Sequence, residues 1–427
     1  MTKIFIFSTF FFFIWSTIVQ GFSTTARTAL VIDNTTGEVL LSKDVDRPIP
    51  PASMSKLMTL WMVFESLEEG KLDLDDTFRV SRKAWKKGGS KMFLREGAYV
   101  TVENLIKGVI IQSGNDACIV LAEGLAGTEE NFAELMTIRA KEIGLSNSNF
   151  TNSTGWPDPK HKMSSKDLVT LANKIREEYP SYYKIFDDLE FTWDNISQKN
   201  RNPLLLMNLG ADGLKTGYTE EAGYGLIASA KQNERRITFV ITGLKSVGQR
   251  AREAKGITTW AFRKFSLKTF FKKSSIILKV PVWRGEKEYV KISATKDVQI
   301  LLANDAREKT KMHIVLKQPL IAPLKKGQKI NGHLVVEPAP LVKTREGRPI
   351  KIEPNQTCTS SRVQATILSF YDSNRAKEPQ INGSNASWSK LDREIKKKLK
   401  DVKNKKIYSF NRFSDQSIFV IVNKHIF

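Results

Sequence analysis

The order of hydrophobic periodicities up to Lys264 constrains the fold of this chain more than any other feature. Two strand-like runs, Ala29–Asp33 and Glu38–Ser42, flank the turn Asn34-Thr-Thr-Gly37, the pattern of a β-hairpin. Helical spacing then takes over. A dense apolar run from Leu57 to Phe64 comes first, and Leu105, Ile106, Val109 and Ile110 follow Thr101. Asp116–Ala126, Asn131–Ile143 ahead of Gly144, and Leu168–Glu178 continue the pattern. Strand character returns at Glu190–Asp194, in Asp212–Tyr218, and in Ala222–Ala230 and Ile237–Gly243 around the polar turn Lys231–Arg235. A last helix is expected over Gly248–Lys264. Strands at both ends of an all-helical middle imply one sheet assembled from the two ends of the unit, with helices packed on it.

From Phe270 the pattern changes. Short strands are expected at Val280–Trp283, Tyr289–Ile292, Val298–Leu302 and His313–Leu316, separated by turns such as Arg284-Gly285 and Lys326-Gly327. Residues 270–336 therefore read as a small all-β domain, and with no acid–base constellation it is a spacer or docking module. The tail, 337–427, is atypical. Asn355–Ser389 has loop composition and no fold is predicted for it. Leu391, Ile395, Leu399 and Val402 line one face of a basic helix over 391–406 that carries Lys396, Lys397, Lys398, Lys405 and Lys406. Such a helix lies on anionic lipid; a solvated charged helix or a disordered tail is the alternative.

At 427 residues the chain exceeds one typical domain. Its 67 Lys and Arg against 45 Asp and Glu give a net charge of +22, which points to an anionic neighbour. No zinc-finger spacing, RNP-like motif or basic heptad array supports nucleic acid; a membrane surface fits better. The chain opens with Lys3, an apolar stretch from Ile4 to Val19, and the small-residue segments Gly21-Phe-Ser23 and Thr24-Thr-Ala26. These are the parts of a secretory signal peptide over 1–26, cleaved near Ser23 or Ala26; an uncleaved anchor is the alternative. Cys118 and Cys358 form no disulfide framework, and His161, His313, His333 and His425 form no metal-ligand spacing. Metal chemistry is not expected. Catalysis must rest on Ser, Lys, Asn and backbone groups, and His161 reads as structural rather than as a base.

Those residue types occur in three short motifs. Ser53-x-x-Lys56 opens the apolar run, so a hydroxyl and an amine lie one helical turn apart at a helix N-terminus, where dipole and free N–H groups favour developing negative charge. Those are the parts of an activated serine. Ser113-Gly114-Asn115 falls between two helices, and Lys215-Thr216-Gly217 opens a strand. Alone, each motif also has a plain structural reading: an N-cap, a helix-break turn, a strand entry. In this order they match the active-site set S-x-x-K, S-x-N and K-T-G of penicillin-binding proteins and β-lactamases.

The chain resembles the D-alanyl-D-alanine carboxypeptidases, the low-molecular-mass penicillin-binding proteins, from about Arg27 to Trp260. The resemblance takes in Leu145–Gly155 and Asp212–Gly225, and more weakly Val280-Pro-Val-Trp283 and Ala322–Gly327. It fails after about Val336, where an extension, a replacement anchor and a shifted reading frame all remain open. The resemblance implies an α/β (α+β) DD-peptidase-like domain over 27–264, with an antiparallel sheet and an all-helical subdomain, followed by the small all-β domain. It implies Ser53 as nucleophile toward the carbonyl of the penultimate D-alanine of a peptidoglycan stem peptide, or toward a β-lactam antibiotic. Lys56 is then the base, made neutral by burial beside Lys215, and Ser113 relays the proton. Asn115 binds the substrate amide, while Lys215 and Thr216, with Gly217 opening the strand and Arg250 a weaker candidate, hold the carboxylate. The N–H groups of Ser53 and Tyr218 form the oxyanion hole. No cofactor is called for. The implied location is the bacterial periplasm, at the outer face of the inner membrane. Two rivals are a β-lactamase, whose E-x-x-L-N-like loop has no counterpart between Asn115 and Lys215 (Glu142–Asn147 has the wrong spacing), and an inactive wall-binding scaffold.

Overall fold

The structure is a computed structural model and describes residues 22–304 and, beyond them, 311–318, 320–325, 328–330, 332–337, 368–370 and 418–424. Most of the expected signal peptide and the expected helix at 391–406 lie outside the described residues.

Five strands make the central sheet: β1 (Ala29–Asp33), β2 (Glu38–Lys43), β3 (Ala211–Thr219), β4 (Gly223–Gln232) and β5 (Arg235–Leu244). Their order is β2-β1-β5-β4-β3, every neighbour antiparallel. The N-terminal hairpin is thus sewn onto the last strand of the unit, with Leu30 opposite Val240. One face carries Leu30, Ile227 and Val240 into a helical layer. The other carries Ala29, Val31, Leu226, Ala228, Phe239 and Ile241 onto a C-terminal helix through its Ala254, Ile257 and Ala261. Alternate residues of each strand serve opposite faces, and because both faces are covered, β4 and β5 read as apolar runs.

The helical layer contains α1 (Lys56–Glu68), α2 (Val102–Lys107), α3 (Asn115–Ala126), α4 (Glu129–Glu142) and α5 (Ser165–Glu178), and α6 (Val247–Lys264) backs the sheet. Leu57, Leu60, Trp61 and Phe64 recur at helical spacing on α1 and are fully buried, each contributing roughly 1.5–3 kcal/mol. α3 runs through the middle of the layer, so Ala117 to Ala122 are buried without a polar stripe. Side-chain caps from Thr101, Thr128, Ser164 and Ser246 start α2, α4, α5 and α6, each stabilising its helix by about 1 kcal/mol.

The structure departs from the sequence reading in four places. Ser53 precedes α1, in a tight 3₁₀ turn over Ala52–Ser55. The break before α3 is a π-helical turn over Gly108–Gln112, closed by Ser113 in the left-handed region at φ 60°, rather than by Gly114. The second domain begins earlier than Phe270, with a strand over Phe265–Phe271 that pairs with Val298–Ala303. Within the stretch for which no fold was expected, Leu368–Phe370 pairs with Ile292–Ala294; further on, Ile418–Lys424 pairs with Lys311–Gln318. Among the described residues, no helix is long and apolar enough to cross a membrane.

Candidate active site

Three segments distant in sequence converge between the helical layer and the free edge of β3. The Ala52–Ser55 turn is held against β3 by the smallness of two glycines. A Cβ on Gly217 would sit 2.9 Å from the carbonyl oxygen of Pro51, and one on Gly155 only 2.0 Å from that of Ala52. Gly155 also has φ +76°, a conformation that favours glycine. These contacts fix Ser53 beside the edge strand.

Lys56, on the first turn of α1, is fully buried. Its Nζ lies 2.9 Å from Ser53 Oγ, 2.8 Å from Asn115 Oδ1 and 2.6 Å from the Thr154 carbonyl oxygen. Burial pushes its pKa down to about 8; Arg201 and Lys87 push the same way, and Cys118 and Asp116 oppose. Burial was expected to be the cause and is. Lys56 and Lys215 also repel one another, and Arg201 and Lys87 add to the same push. A lysine so placed has a far larger neutral fraction near neutral pH than an ordinary lysine, as a general base needs.

Asn115 orients rather than dangles. Its Oδ1 accepts from Lys56, its Nδ2 donates 2.8 Å to the Gly88 carbonyl, and its backbone N–H donates 2.7 Å to that of Ser90. One amide hydrogen and one oxygen lone pair remain for a ligand. The neighbouring Asp116 carboxylate accepts from the backbone N–H groups of Met92 and Leu94. Together these bonds fasten the 88–94 segment to the start of α3. The π-helical turn and the left-handed Ser113 make the rest of this wall; such bulges concentrate at functional sites, and a left-handed non-glycine residue costs about 1–3 kcal/mol.

Ser113 and Lys215 form the second pair, with Nζ donating to Oγ at 2.7 Å. Lys215 is opposite Ile227, a residue of the helical face, and only 2% exposed. Its pKa falls well below the usual lysine value through burial first, then through Lys56, Arg201 and Arg250. Thr216 is buried beside it. Tyr218 is half exposed and its ring stacks on Tyr224 at 4.2 Å. Arg250, at the start of α6, is buried with its guanidinium 5.9 Å from the Tyr224 ring, and its Nε has no hydrogen-bond partner among the described residues. All nine residues singled out in the sequence thus belong to one neighbourhood, Arg250 at its back.

Sequence reasoning missed three contributors. Arg201, in the aperiodic loop before β3, donates to Ser90 Oγ and adds positive charge near both lysines. The Thr154 carbonyl is a backbone group. Trp156, under the Lys87 ammonium at 4.2 Å, forms part of the rim. Only the stretch that contains Thr154, Leu145–Gly155, was visible, as a family-like string. His161 is buried, with Nδ1 accepting from the Thr151 N–H and its pKa lowered to about 4 by burial. A groove of about 570 Å³ elsewhere, along α6 between Arg252 and Lys264, contains none of the motif residues.

Comparison with known proteins agrees with this geometry. A family described as D-alanyl-D-alanine carboxypeptidase matches residues 16–246, and the C-terminal domain of penicillin-binding protein 5 matches 265–337. The D-alanyl-D-alanine carboxypeptidase DacC of Escherichia coli is 38% identical over 318 residues, 73% of this chain and 80% of that one. DacF of Bacillus subtilis is 34% identical over 322 residues, covering 73% and 81%. Among solved structures, penicillin binding protein 5 of Haemophilus influenzae aligns with a TM-score of 0.65 and 32% identity over 83% of this chain and 98% of that one. DacD of Francisella tularensis aligns with a TM-score of 0.68 and 26% identity over 84% and 96%. The fold and site define a serine peptidase of the penicillin-binding class. The chain belongs to the D-alanyl-D-alanine carboxypeptidase family, serine-type hydrolases.

Proposed function

We propose that this enzyme removes the terminal D-alanine from peptidoglycan stem peptides through an acyl-enzyme on Ser53. The observation that carries the assignment is the fully buried Lys56 amine held 2.9 Å from Ser53 Oγ. Neutral Lys56 takes the Ser53 proton as Oγ bonds to the penultimate carbonyl carbon. The oxyanion faces the N–H groups of Ser53 and Tyr218, the latter on an edge strand with one side unpaired in the sheet. The C–N bond then breaks as Ser113 passes its hydroxyl proton to the departing D-alanine amine and is reprotonated by the proton that Lys56 took from Ser53. Water hydrolyses the ester.

Lys215 and Thr216 hold the substrate carboxylate, with Arg201 and Arg250 adding positive charge from behind. The free N–H of Asn115 takes the amide oxygen of the substrate. β-Lactams acylate the same serine. Placement at the anionic outer face of the inner membrane, in the periplasm, is supported by the net charge of +22 and by the basic tail.

A fluorescent penicillin labels the purified chain, and Ser53→Ala removes the label; release of D-alanine from a pentapeptide stem establishes the reaction. Labelling followed by rapid turnover of the antibiotic without D-alanine release would mean a β-lactamase. No labelling would mean a scaffold. Sedimentation of the full chain with anionic vesicles, but not neutral ones, checks the membrane reading.

A further inference from the structure

The segment Asn152–Gly155 is held from every side. Asn152 Oδ1 accepts from the N–H groups of Thr154 (3.1 Å) and Gly155 (2.9 Å) and from Thr154 Oγ1 (3.0 Å). The Ser153 carbonyl accepts from Thr59 Oγ1 of α1 at 2.6 Å. Beneath it lies Glu129, the first residue of α4 and only 5% exposed. Its Oε1 accepts from the Ser153 N–H at 3.1 Å and from Ser153 Oγ at 2.8 Å, while Oε2 pairs with Lys83 Nζ at 3.0 Å. Nothing in the three motifs uses this carboxylate.

What the segment delivers is the Thr154 carbonyl. A neutral lysine amine has two hydrogens and one lone pair. Lys56 has three neighbours, and two of them, Asn115 Oδ1 and the Thr154 carbonyl, can only accept. When both hydrogens go to those oxygens, the lone pair is left facing Ser53 Oγ. Remove either acceptor and the amine is free to turn a hydrogen, rather than its lone pair, toward the nucleophile.

We propose that Glu129 is a positioning residue for the general base: by pinning Ser153 it holds the Thr154 carbonyl where it orients the lone pair of Lys56 onto Ser53. The inference rests on Lys56 being the base for Ser53. Glu129 acts through the loop rather than through its charge. The charges that bear on Lys56 come from Arg201, Lys87, Asp116 and Cys118, with Lys215 and His161 nearby, and Glu129's own charge is met by Lys83.

The test is the rate of acylation of the full chain by a fluorescent penicillin, followed by stopped flow across pH. In the unaltered enzyme the rate rises with pH through the ionisation of Lys56. Glu129→Ala lowers the plateau by about ten- to a hundredfold, the cost of an ångström-scale misplacement. It also moves the acid limb to lower pH, because the ammonium loses an acceptor that favours the charged form. A merely structural role would reduce the fraction of labelled protein and leave the limb in place. Glu129→Gln keeps an oxygen for Ser153 and recovers most of the rate. Ser153→Ala, which removes one of the two donors, gives a smaller loss in the same direction, and with Glu129→Gln it carries the test if Glu129→Ala does not fold. An unmoved limb and plateau in Glu129→Ala, or Glu129→Gln as slow as Glu129→Ala, would overturn the proposal. Absence of labelling at Ser53 in the unaltered enzyme would instead overturn the reading beneath it.

Discussion

The central sheet gathers buried charge in two places and treats it in opposite ways. At the β1 end, the Asp33 carboxylate accepts from Arg235 Nε (3.0 Å) and Nη2 (2.7 Å) and from the Thr35 and Thr36 N–H groups. Arg235 directs two further N–H donors to the Phe265 and Ala261 carbonyls. The Asp33 charge is met by a cation that is itself hydrogen-bonded. At the β3 end, Lys56, Lys215, Arg201 and Arg250 converge with no carboxylate bonded to any of them among the described residues; the nearby Asp116 is occupied by backbone N–H groups. A balanced pair ties the two domains of the fold together, since Arg235 reaches from β5 to the first strand of the second domain. An unbalanced cluster lowers lysine pKa values and leaves an attraction for an anion to fill. Burial of charge is common to both; its compensation separates structure from chemistry.

Substitutions can break this contrast. The largest effect is expected from Lys56→Met, which removes the base and slows acylation by about 10²–10⁴-fold. It should nonetheless raise stability at pH 7 by about 1–2 kcal/mol, because catalytic sites hold groups that fold at a cost. Acylation rates and urea melts on the same preparation decide it, and loss of both would show that Lys56 is structural. Asp33→Ala should behave in the opposite sense, losing about 3–5 kcal/mol by stranding Arg235, while the fraction that stays folded still labels with penicillin.

The pH dependence sharpens the same contrast. Because the Lys56 pKa is lowered to about 8, the unfolded chain binds the extra proton between that value and the ordinary lysine value of 10.5. Stability from this group therefore rises with pH across that window and is at its least below it. Acylation falls about tenfold per pH unit below 8. The smallest effect belongs to Glu38, beside Asp33. Burial, then Asp33, raises its pKa to about 7, and its Oε1 has no partner among the described residues. The sign is that of a raised carboxyl: stability is present below the unfolded value and lost as pH rises through about 7. Glu38→Gln should raise the melting temperature at pH 8 and leave it almost unchanged at pH 4.

What could be read from the sequence follows the same division. Ser53, Lys56, Ser113, Asn115 and Lys215 stood out because the proposed chemistry calls for those side chains, at spacings that helix and strand geometry dictate. The sheet was legible because its apolar runs lie at both ends of the unit. The Thr154 carbonyl was not, since any residue supplies a carbonyl and only the fold decides where it points. Arg201 sits in a loop without period, so nothing in the string ties it to Ser90. The helical pattern before α3 is interrupted at a glycine, Gly114, whereas the structure puts the left-handed residue at Ser113. Gly114 is needed for space: a Cβ there would meet Asp116 Oδ1 at 2.9 Å and the Met92 nitrogen at 3.2 Å. The second half of Asn115's work, tethering the Gly88–Ser90 segment, was likewise invisible without coordinates.

The pairing of β1 with β5 has a consequence in time. Ala29 meets Ile241, so the first strand to leave the ribosome waits for nearly the last strand of its domain, and contacts so distant in sequence form slowly. Ser53 and Lys56 lie between them, on a turn whose wall is β3. A chain still being synthesised has Ser53 and Lys56 but neither Lys215 nor the Gly217 that seats the turn. The site is therefore complete only once Leu244 is in place and the sheet has closed.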